Sequence, residues 1–315
     1  MFKNIILKLS RSLFKKILPF IFKILIKLKL NRRTINFLSD KSYDSNNFYD
    51  FTKNIQKILN NQKIIALDVG AQGGFNSDKF FPSRYNIFFE DILIEPIKSE
   101  AEKLINKKYI INKGLWSDKN KKKLYILGNR LGSSSMYRPD KKKFDIHNIK
   151  ERNYENYDIT STLEVECDTI NNLLSNLKVK NLDFLKVDTQ GAELEILKGL
   201  GNYRPILIKI EAHMFSMYKD APSWHKLLNY LYELNYVVID WKDIGEHNTR
   251  IPAEMDMILI PNFNNDIGKN LIINSREKFI SLMLIFGQLN ILKLILKRFN
   301  IDNKELEKFE DLYFN

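Results

Sequence analysis

The sequence predicts an α/β protein whose core is a mostly parallel β-sheet covered by helices. From residue 62 onward, short apolar runs of strand length alternate with amphipathic stretches of helix length. Several apolar runs end in an acidic residue, as at Asp68, Glu95 and Asp188. The 315 residues are 44% hydrophobic and 28% charged, an ordinary globular composition that excludes a disordered or fully membrane-embedded chain.

The net charge of +12 is concentrated at the N-terminus. Residues 1–33 contain ten Lys and Arg and no acidic residue, so the rest of the chain holds 40 basic against 38 acidic side chains. A nucleic-acid-binding body carries its own concentrated basic surface, and we therefore expect no nucleic-acid partner. The single cysteine, Cys167, excludes an intrachain disulfide and a multi-cysteine metal site, and it fits a cytoplasmic protein.

Residues 1–33 predict a basic amphipathic helix. On a helical wheel, most bases of residues 1–30 lie on one half and most apolar side chains on the other. Pro19 is expected to kink or divide this helix, and no uncharged run approaches the ~20 residues of a transmembrane helix. We expect residues 1–30 to lie on an anionic membrane surface, at the inner membrane face. Packing on the protein body or against another subunit is the alternative, which co-sedimentation with anionic liposomes, with and without residues 1–30, distinguishes.

Residues 34–61 predict a helical lead-in, residues 62–262 the main domain and residues 263–315 a C-terminal helical extension. Strands are expected at Lys63–Val69, Ile92–Glu95, Tyr109–Leu115, Leu182–Val187, Pro205–Glu211, Tyr236–Trp241 and Met255–Ile260. Helices are expected at Ser77–Phe81, Ile97–Ile105, Ala192–Leu200, Trp224–Leu234 and Ser281–Arg298. An insert at about residues 118–180 adds strands at Lys123–Leu127 and Thr162–Cys167, a turn at Gly132–Ser135 and a helix at Thr169–Leu177.

The first chemical motif is DVGAQGG at residues 68–74, directly after a predicted strand. Its three glycines allow a sharp turn and a close approach of the backbone to a ligand, and the helix expected after it would offer its N-terminus. Gln72 occupies the position at which the dinucleotide-binding pattern requires glycine. Asp68 suits a positively charged ligand group. The structural alternative is a tight turn held by a hydrogen-bonded Asp68.

Glu95 follows the second predicted strand and precedes Pro96. A carboxylate at this strand end can accept hydrogen bonds from both hydroxyls of a ribose. Alternatively, Glu95 is only an acidic residue at a helix N-terminus. With the glycine-rich turn before it, a nucleoside site is the better interpretation.

Two later motifs, KVDTQGAE at 186–193 and KIEAH at 209–213, also follow predicted strands. Because parallel strands present their carboxyl ends at one edge of a sheet, we expect Asp188, Glu211 and His213 to converge there. This set suits proton abstraction from a hydroxyl, or Mg²⁺ binding by Asp188 and Glu211. A polar cluster that only fixes loops is the alternative. In the insert, Tyr137 and Arg138 are the predicted substrate contacts.

These motifs in this order resemble the FkbM family of S-adenosylmethionine-dependent methyltransferases. The resemblance is carried by LDVGAQGG (67–74), IEP (94–96), GLWSD (114–118), CDTI (167–170), LKVDTQGAELEILKG (185–199) and IKIEAH (208–213). It implies the class I methyltransferase (Rossmann-like) fold, a seven-stranded sheet that is mostly parallel with one antiparallel strand, the seventh. It also implies the cofactor contacts: Asp68, Gly70, Ala71 and Gly74 at the methionine part, Glu95 at the ribose, and Trp116 and Ser117 near the adenine.

The resemblance therefore implies an S-adenosylmethionine-dependent O-methyltransferase, and we expect its acceptor to be a hydroxyl of a sugar in a glycan or glycolipid. Asp188, Glu211 and His213 are the predicted catalytic residues. Some related sugar O-methyltransferases look Mg²⁺-dependent, but Gln190 stands where the family often has Glu, which leaves the metal open. A non-catalytic peripheral membrane module on the same fold, and a nucleotide-sugar or NAD enzyme, are the alternative functions. The oligomeric state is open as well.

Overall fold

The computed structural model describes residues 50–105, 107–143, 154–244 and 253–301. The predicted basic helix at 1–33 and most of the predicted lead-in lie outside these residues. None of the helices in this part of the chain has the length and hydropathy of a membrane-spanning segment. The chain divides into a larger unit, residues 62–79 and 86–279, and a smaller unit that includes the described residues 50–61, 80–85 and 280–301.

The larger unit is built on a seven-stranded, mostly parallel sheet. The described strands are β1 (Ile64–Val69), β2 (Phe89–Ile94), β3 (Tyr109–Ile111), β4 (Gly114–Leu115), β5 (Asn120–Leu127), β6 (Ile159–Asp168), β7 (Phe184–Val187), β8 (Leu207–His213), β9 (Tyr236–Ile244) and β10 (Glu254–Pro261). The order across the large sheet is β3-β2-β1-β7-β8-β10-β9. β10 alone runs in the direction opposite to the other six strands of this sheet. The predicted mixed α/β architecture is thus present, and it is compatible with a methyltransferase fold.

The strand expected at Tyr109–Leu115 is divided between two sheets, so its prediction as one element is wrong. Its first half is β3, whereas its second half is β4, which joins the three-stranded sheet β4-β6-β5 formed by the insert. Asn112 lies at the break, and its side-chain amide donates hydrogen bonds to the carbonyls of Glu95 and Pro96, both at 2.9 Å. This anchor turns the chain away from the large sheet and fixes it beside the end of β2.

Eight α-helices are described: α1 (Thr52–Leu59), α2 (Lys98–Ala101), α3 (Ile170–Asn176), α4 (Glu193–Lys198), α5 (Trp224–Glu233), α6 (Asp266–Asn274), α7 (Arg276–Ile285) and α8 (Leu289–Arg298). The helix predicted at Ser77–Phe81 is wrong, because the chain makes turns there and Asn76 and Lys79 take left-handed φ angles of 58° and 54°. The helix predicted across Ser281–Arg298 is interrupted between α7 and α8, where Gly287 has a φ of 72°.

The central strands combine apolar burial with a row of buried charges. Leu67, Leu185 and Ile208 are fully buried in the core of the larger unit. Asp68 of β1 pairs in register with Lys186 of β7, which in turn pairs with Lys209 of β8, and all three residues are buried. Side chains in register on parallel strands share one face, so this row crosses the sheet close to the carboxyl ends of β1 and β7.

The described part of the smaller unit is packed through aromatic side chains. The backbone N–H of Phe51 donates to the hydroxyl of Tyr85 at 3.1 Å. The ring of Phe286 lies 5.9 Å from that of Phe80 and 5.4 Å from that of Phe81, measured between centroids.

Candidate functional site

A cleft opens at the carboxyl ends of β1, β2 and β7. It offers about 910 Å³ between protein atoms, a volume that includes the open solvent at its mouth. Its walls come from the turn after β1, the end of β2, β4, the Gly132 turn of the insert and the loop after β7. Residues on these walls include Gly70, Glu95, Gly114, Gly132, Met136 and Asp188.

Gly70 brings the first strand end against the loop that follows β7. Its φ is 82°, and a methyl group added at this position would clash with the carbonyl oxygen of Asp188. The backbone N–H groups of Gly70 and Ala71 both donate to the carbonyl of Ile94 at 3.1 Å. Glycine is therefore required at residue 70 by conformation and by space, and the ends of β1, β2 and β7 are tied together.

Glu95 is a buried carboxyl group on the wall of the cleft. One of its oxygens accepts a hydrogen bond from the backbone N–H of Ile97 at 2.8 Å. Burial raises the pKa of Glu95 to about 7, although that hydrogen bond favours the charged form. The group is therefore poised between its two protonation states near neutral pH and is placed to accept ligand hydroxyls.

Asp68 does not line the cleft but lies within β1, where it is 1% exposed. Its nearest charged partner is Lys186, whose ammonium lies 3.1 Å from a carboxylate oxygen of Asp68 and 3.9 Å from Asp188. Burial acts to lower the pKa of Lys186, but the surrounding carboxylates outweigh it and hold that pKa above its ordinary value. The positive group that faces Asp68 is thus supplied by the protein itself.

Gln190 connects two strand ends through its side-chain amide. The amide nitrogen donates to Asp188 at 3.2 Å and to Glu211 at 2.6 Å, and the amide oxygen accepts from the hydroxyl of Tyr218 at 2.8 Å. Gln190 itself has a φ of 59°. A glutamine can make both kinds of hydrogen bond at once, so it holds the two carboxyl groups in fixed positions.

Asp188 and Glu211 have opposite protonation tendencies. Burial acts to raise the pKa of Asp188, but the ammonium groups of Lys186 and Lys209 outweigh it, so this pKa lies below its ordinary value. Burial, reinforced by the carboxylate of Asp188, raises the pKa of Glu211 well above its ordinary value. The pKa values of the two carboxyls are therefore shifted in opposite directions, so Asp188 ionises more readily than Glu211.

The structure brings Asp188, Glu211 and His213 together, as the strand-end pattern indicates, but only Asp188 lines the cleft. Glu211 is joined to Asp188 through Gln190, and His213 lies 3.5 Å beyond Glu211. Glu254 of β10 lies directly opposite His213 in the sheet. A compact group of two carboxyls and one imidazole therefore lies one strand away from the cleft.

The other predicted site residues are divided between the cleft and its surroundings. Trp116 is buried, packs on Tyr137 with 5.8 Å between ring centroids, and has the ammonium of Lys122 over its face at 4.5 Å. Ala71, Gly74 and Ser117 lie near cleft residues in the sequence but do not line the cleft. Arg138 lines a separate cavity. The predicted cofactor set therefore reaches the cleft surface through Gly70 and Glu95.

Sequence reasoning assigned no role to Lys186, Tyr218 or Glu254. Lys186 carries a signal, because a lysine within an apolar strand needs a buried partner. Tyr218 lies in a loop and Glu254 begins an antiparallel strand, and neither belongs to a motif. Their positions depend on pairings between distant parts of the chain.

Replacing Gln190 with glutamate should destabilise the protein most at alkaline pH. Ionised glutamate cannot donate to Asp188 and Glu211, and it adds a negative charge between these two carboxyl groups. We expect Q190E to lose roughly 2 kcal/mol of unfolding free energy near pH 8. Burial raises the pKa of the new carboxyl in the folded state, so the loss vanishes at acidic pH and grows as pH rises. Urea unfolding at two pH values measures this, and equal stability of Q190E and wild type near pH 8 would contradict it.

Comparison with known proteins shows that the residues around this cleft belong to a known domain family. The family model described as "Methyltransferase FkbM domain" matches residues 68–238, more than half of the chain. The matched range runs from Asp68 to the start of β9 and includes Glu95, Asp188 and His213, whereas Glu254 lies outside it. A search of curated proteins finds no match.

Proposed function

Because this chain belongs to the FkbM methyltransferase family and is thus a methyltransferase, we propose that S-adenosylmethionine is its methyl donor and that a sugar hydroxyl of a glycan or glycolipid is its acceptor. The observation that carries the proposal is that Gly70, Glu95 and Asp188, from three adjacent strand ends, line one cleft. The family match favours this function over an NAD enzyme and over a non-catalytic module.

The topology supports assigning the large sheet to the class I methyltransferase fold. Counting only the strands of this sheet in chain order, their spatial order is 3-2-1-4-5-7-6, and the seventh strand is the antiparallel one. In open α/β sheets, ligands bind outside the carboxyl ends of the strands, where the direction of winding reverses. Here that point lies between β1 and β7, at the cleft.

The donor set of the cleft fits an adenosine-containing ligand. The carboxyl of Glu95 suits the two ribose hydroxyls, and Leu115, Met136 and Ile196 add apolar wall for an aromatic base. Gly70 has no side chain, so a ligand can approach the backbone of this turn closely. When bound, S-adenosylmethionine would supply a sulfonium methyl group for in-line attack by a hydroxyl oxygen, with S-adenosylhomocysteine as the leaving group.

We assign Asp188 the role of orienting the acceptor hydroxyl and receiving its proton. Its side chain is 25% exposed, and it ionises more readily than Glu211. A weak base is sufficient, because the hydroxyl becomes strongly acidic as its oxygen gains a carbon substituent. Alignment supplies most of the remaining rate acceleration. Gln190 fixes the carboxylate of Asp188 in place from behind.

The acceptor class rests on the sequence resemblance, and Tyr137 and Arg138 of the insert are its proposed contacts. A glycolipid acceptor would agree with a membrane-surface role for residues 1–30, which the liposome experiment tests separately. Mg²⁺ binding by Asp188 and Glu211 has less support, because both oxygens of Asp188 face donors or ammonium groups of the chain itself.

Isothermal titration of the full chain with S-adenosylmethionine, S-adenosylhomocysteine and NAD⁺ tests the donor. We expect micromolar affinity for the first two compounds and no measurable binding of NAD⁺. The acceptor is tested by mass spectrometry of sugars and glycolipids incubated with enzyme and donor, where a gain of one methyl group is expected. If neither S-adenosylmethionine nor S-adenosylhomocysteine binds, the proposed methyl donor is wrong.

A further inference from the structure

Glu211, His213 and Glu254 form a cluster at the end of β8 and the start of β10. One potential ligand atom from each residue lies within 4.8 Å of the other two. Glu211 and His213 are two residues apart on β8, and antiparallel pairing places Glu254 opposite His213. All three side chains therefore share one face of the sheet.

The imidazole of His213 is buried with one ring nitrogen unsatisfied. Its side chain is 4% exposed, and Nε2 has no hydrogen-bond partner among the described residues. The nearest carboxylate oxygen, from Glu211, is 3.5 Å away and is not aligned for a hydrogen bond. The ring of Tyr218 packs beside the imidazole, with 5.8 Å between centroids. A buried ring nitrogen without a partner costs free energy, which a cation placed between the three groups would recover.

The charges around the cluster also favour a cation. Four other carboxyl groups surround that of Glu211, namely those of Asp188, Glu254, Glu193 and Asp256. The two nearby lysines are already paired, because Lys209 lies 2.6 Å from Asp256 and Lys186 lies 3.1 Å from Asp68. These two ammonium groups are therefore directed at Asp256 and Asp68 and not at Glu211.

We propose that Glu211, His213 and Glu254 bind a divalent transition-metal ion of the Mn²⁺ or Zn²⁺ class. An imidazole nitrogen favours such ions over Mg²⁺, which prefers oxygen ligands. Three protein ligands leave coordination positions open for water or a substrate oxygen. The hydrogen bond from Gln190 orients Glu211, as groups behind metal ligands commonly do.

This site differs from the one expected at Asp188 and Glu211. Asp188 is engaged by Gln190 and Lys186, whereas His213 and Glu254 complete the cluster on the other side of Glu211. Glu254 also lies outside the residues matched by the family model. The site does not depend on the identity of the methyl donor, so the two proposals are tested separately.

The full chain, stripped of metal with EDTA, is titrated with Mn²⁺ while free Mn²⁺ is followed by electron paramagnetic resonance. We expect one Mn²⁺ bound per chain, with displacement by Zn²⁺, which such ligands bind more tightly. Binding of S-adenosylhomocysteine is measured on the same samples. If the protein binds S-adenosylhomocysteine but not Mn²⁺, the metal-site proposal is wrong and the proposed methyl donor is unaffected.

Glu254→Gln and His213→Ala should each weaken Mn²⁺ binding at least tenfold. Glu164→Gln is the matched control, since Glu164 is an exposed carboxylate on β6 paired with Lys121, and its affinity should equal that of wild type. If His213→Ala does not fold, the half-buried and isosteric Glu254→Gln decides the question. No Mn²⁺ binding by wild type, or unchanged binding by Glu254→Gln, would overturn the proposal.

Discussion

Replacing Glu95 with glutamine should make the ligand-free protein more stable above neutral pH while weakening its binding of S-adenosylmethionine. Ionising Glu95 in the folded protein is unfavourable because the group is buried, which raises its pKa from 4.5 to about 7. Glutamine fills the same space without ionising, and its amide oxygen can accept the hydrogen bond from Ile97. Stability and binding should therefore change in opposite directions.

The pH dependence of this effect follows from the direction of the shift. Below pH 4.5, Glu95 is protonated in both states and contributes no pH dependence. As pH rises from 4.5 to 7, the unfolded chain ionises first, so wild-type stability falls. The expected gain of E95Q relative to wild type between acidic pH and pH 8 is on the order of 3 kcal/mol.

Urea unfolding of both proteins at several pH values measures the stability change, and calorimetry measures the binding change. Replacing the charged acceptor of the ribose hydroxyls with a neutral one should weaken the binding of S-adenosylmethionine by roughly 1.5–3 kcal/mol, or about 10- to 100-fold in affinity. Glu90→Gln is the matched control, because Glu90 lies on the same strand and is only partly buried, with its carboxylate beside the ammonium of Lys108. A parallel pH profile for E95Q and wild type would show that Glu95 is not buried as described.

The sequence predicts the strand ends of this site better than the contacts between them. Each acidic residue singled out after an apolar run lies at or near the carboxyl edge of the large sheet, because the alternation of apolar and amphipathic segments reports burial directly. The helix expected at Ser77–Phe81 is absent, since left-handed residues such as Asn76 leave little trace in an apolar pattern.

The partners of the site residues could not be predicted, because they come from distant segments. Gln190 is visible in its motif, but its bonds to Glu211 and Tyr218 exist only after β8 and the loop behind it are in place. Glu254 reaches His213 because β10 inserts antiparallel between β8 and β9. Such juxtapositions are properties of topology, which local periodicity does not encode.

Replacing Lys186 with methionine should destabilise the protein by about 3–5 kcal/mol, the range expected when one member of a buried ion pair is removed. Lys186 is 3% exposed, and its ammonium lies within 4.0 Å of carboxylate oxygens of Asp68, Asp188 and Asp78. Methionine fills the volume but leaves Asp68, which is 1% exposed, as a buried charge without compensation. Denaturant unfolding at neutral pH measures the loss.

The double variant Asp68→Asn/Lys186→Met separates lost charge from lost packing. Removing both charges together should recover at least half of the stability lost in Lys186→Met, because no buried carboxylate then lacks its counter-charge. In Lys186→Met alone, Asp68 can take up a proton, so the deficit should shrink as pH falls toward 4 and widen as pH rises above the ordinary pKa of an aspartate. A deficit independent of pH, with no recovery in the double variant, would mean that Lys186 acts through packing alone. The charge row beneath the cleft would then not be what holds the ends of β1 and β7 together.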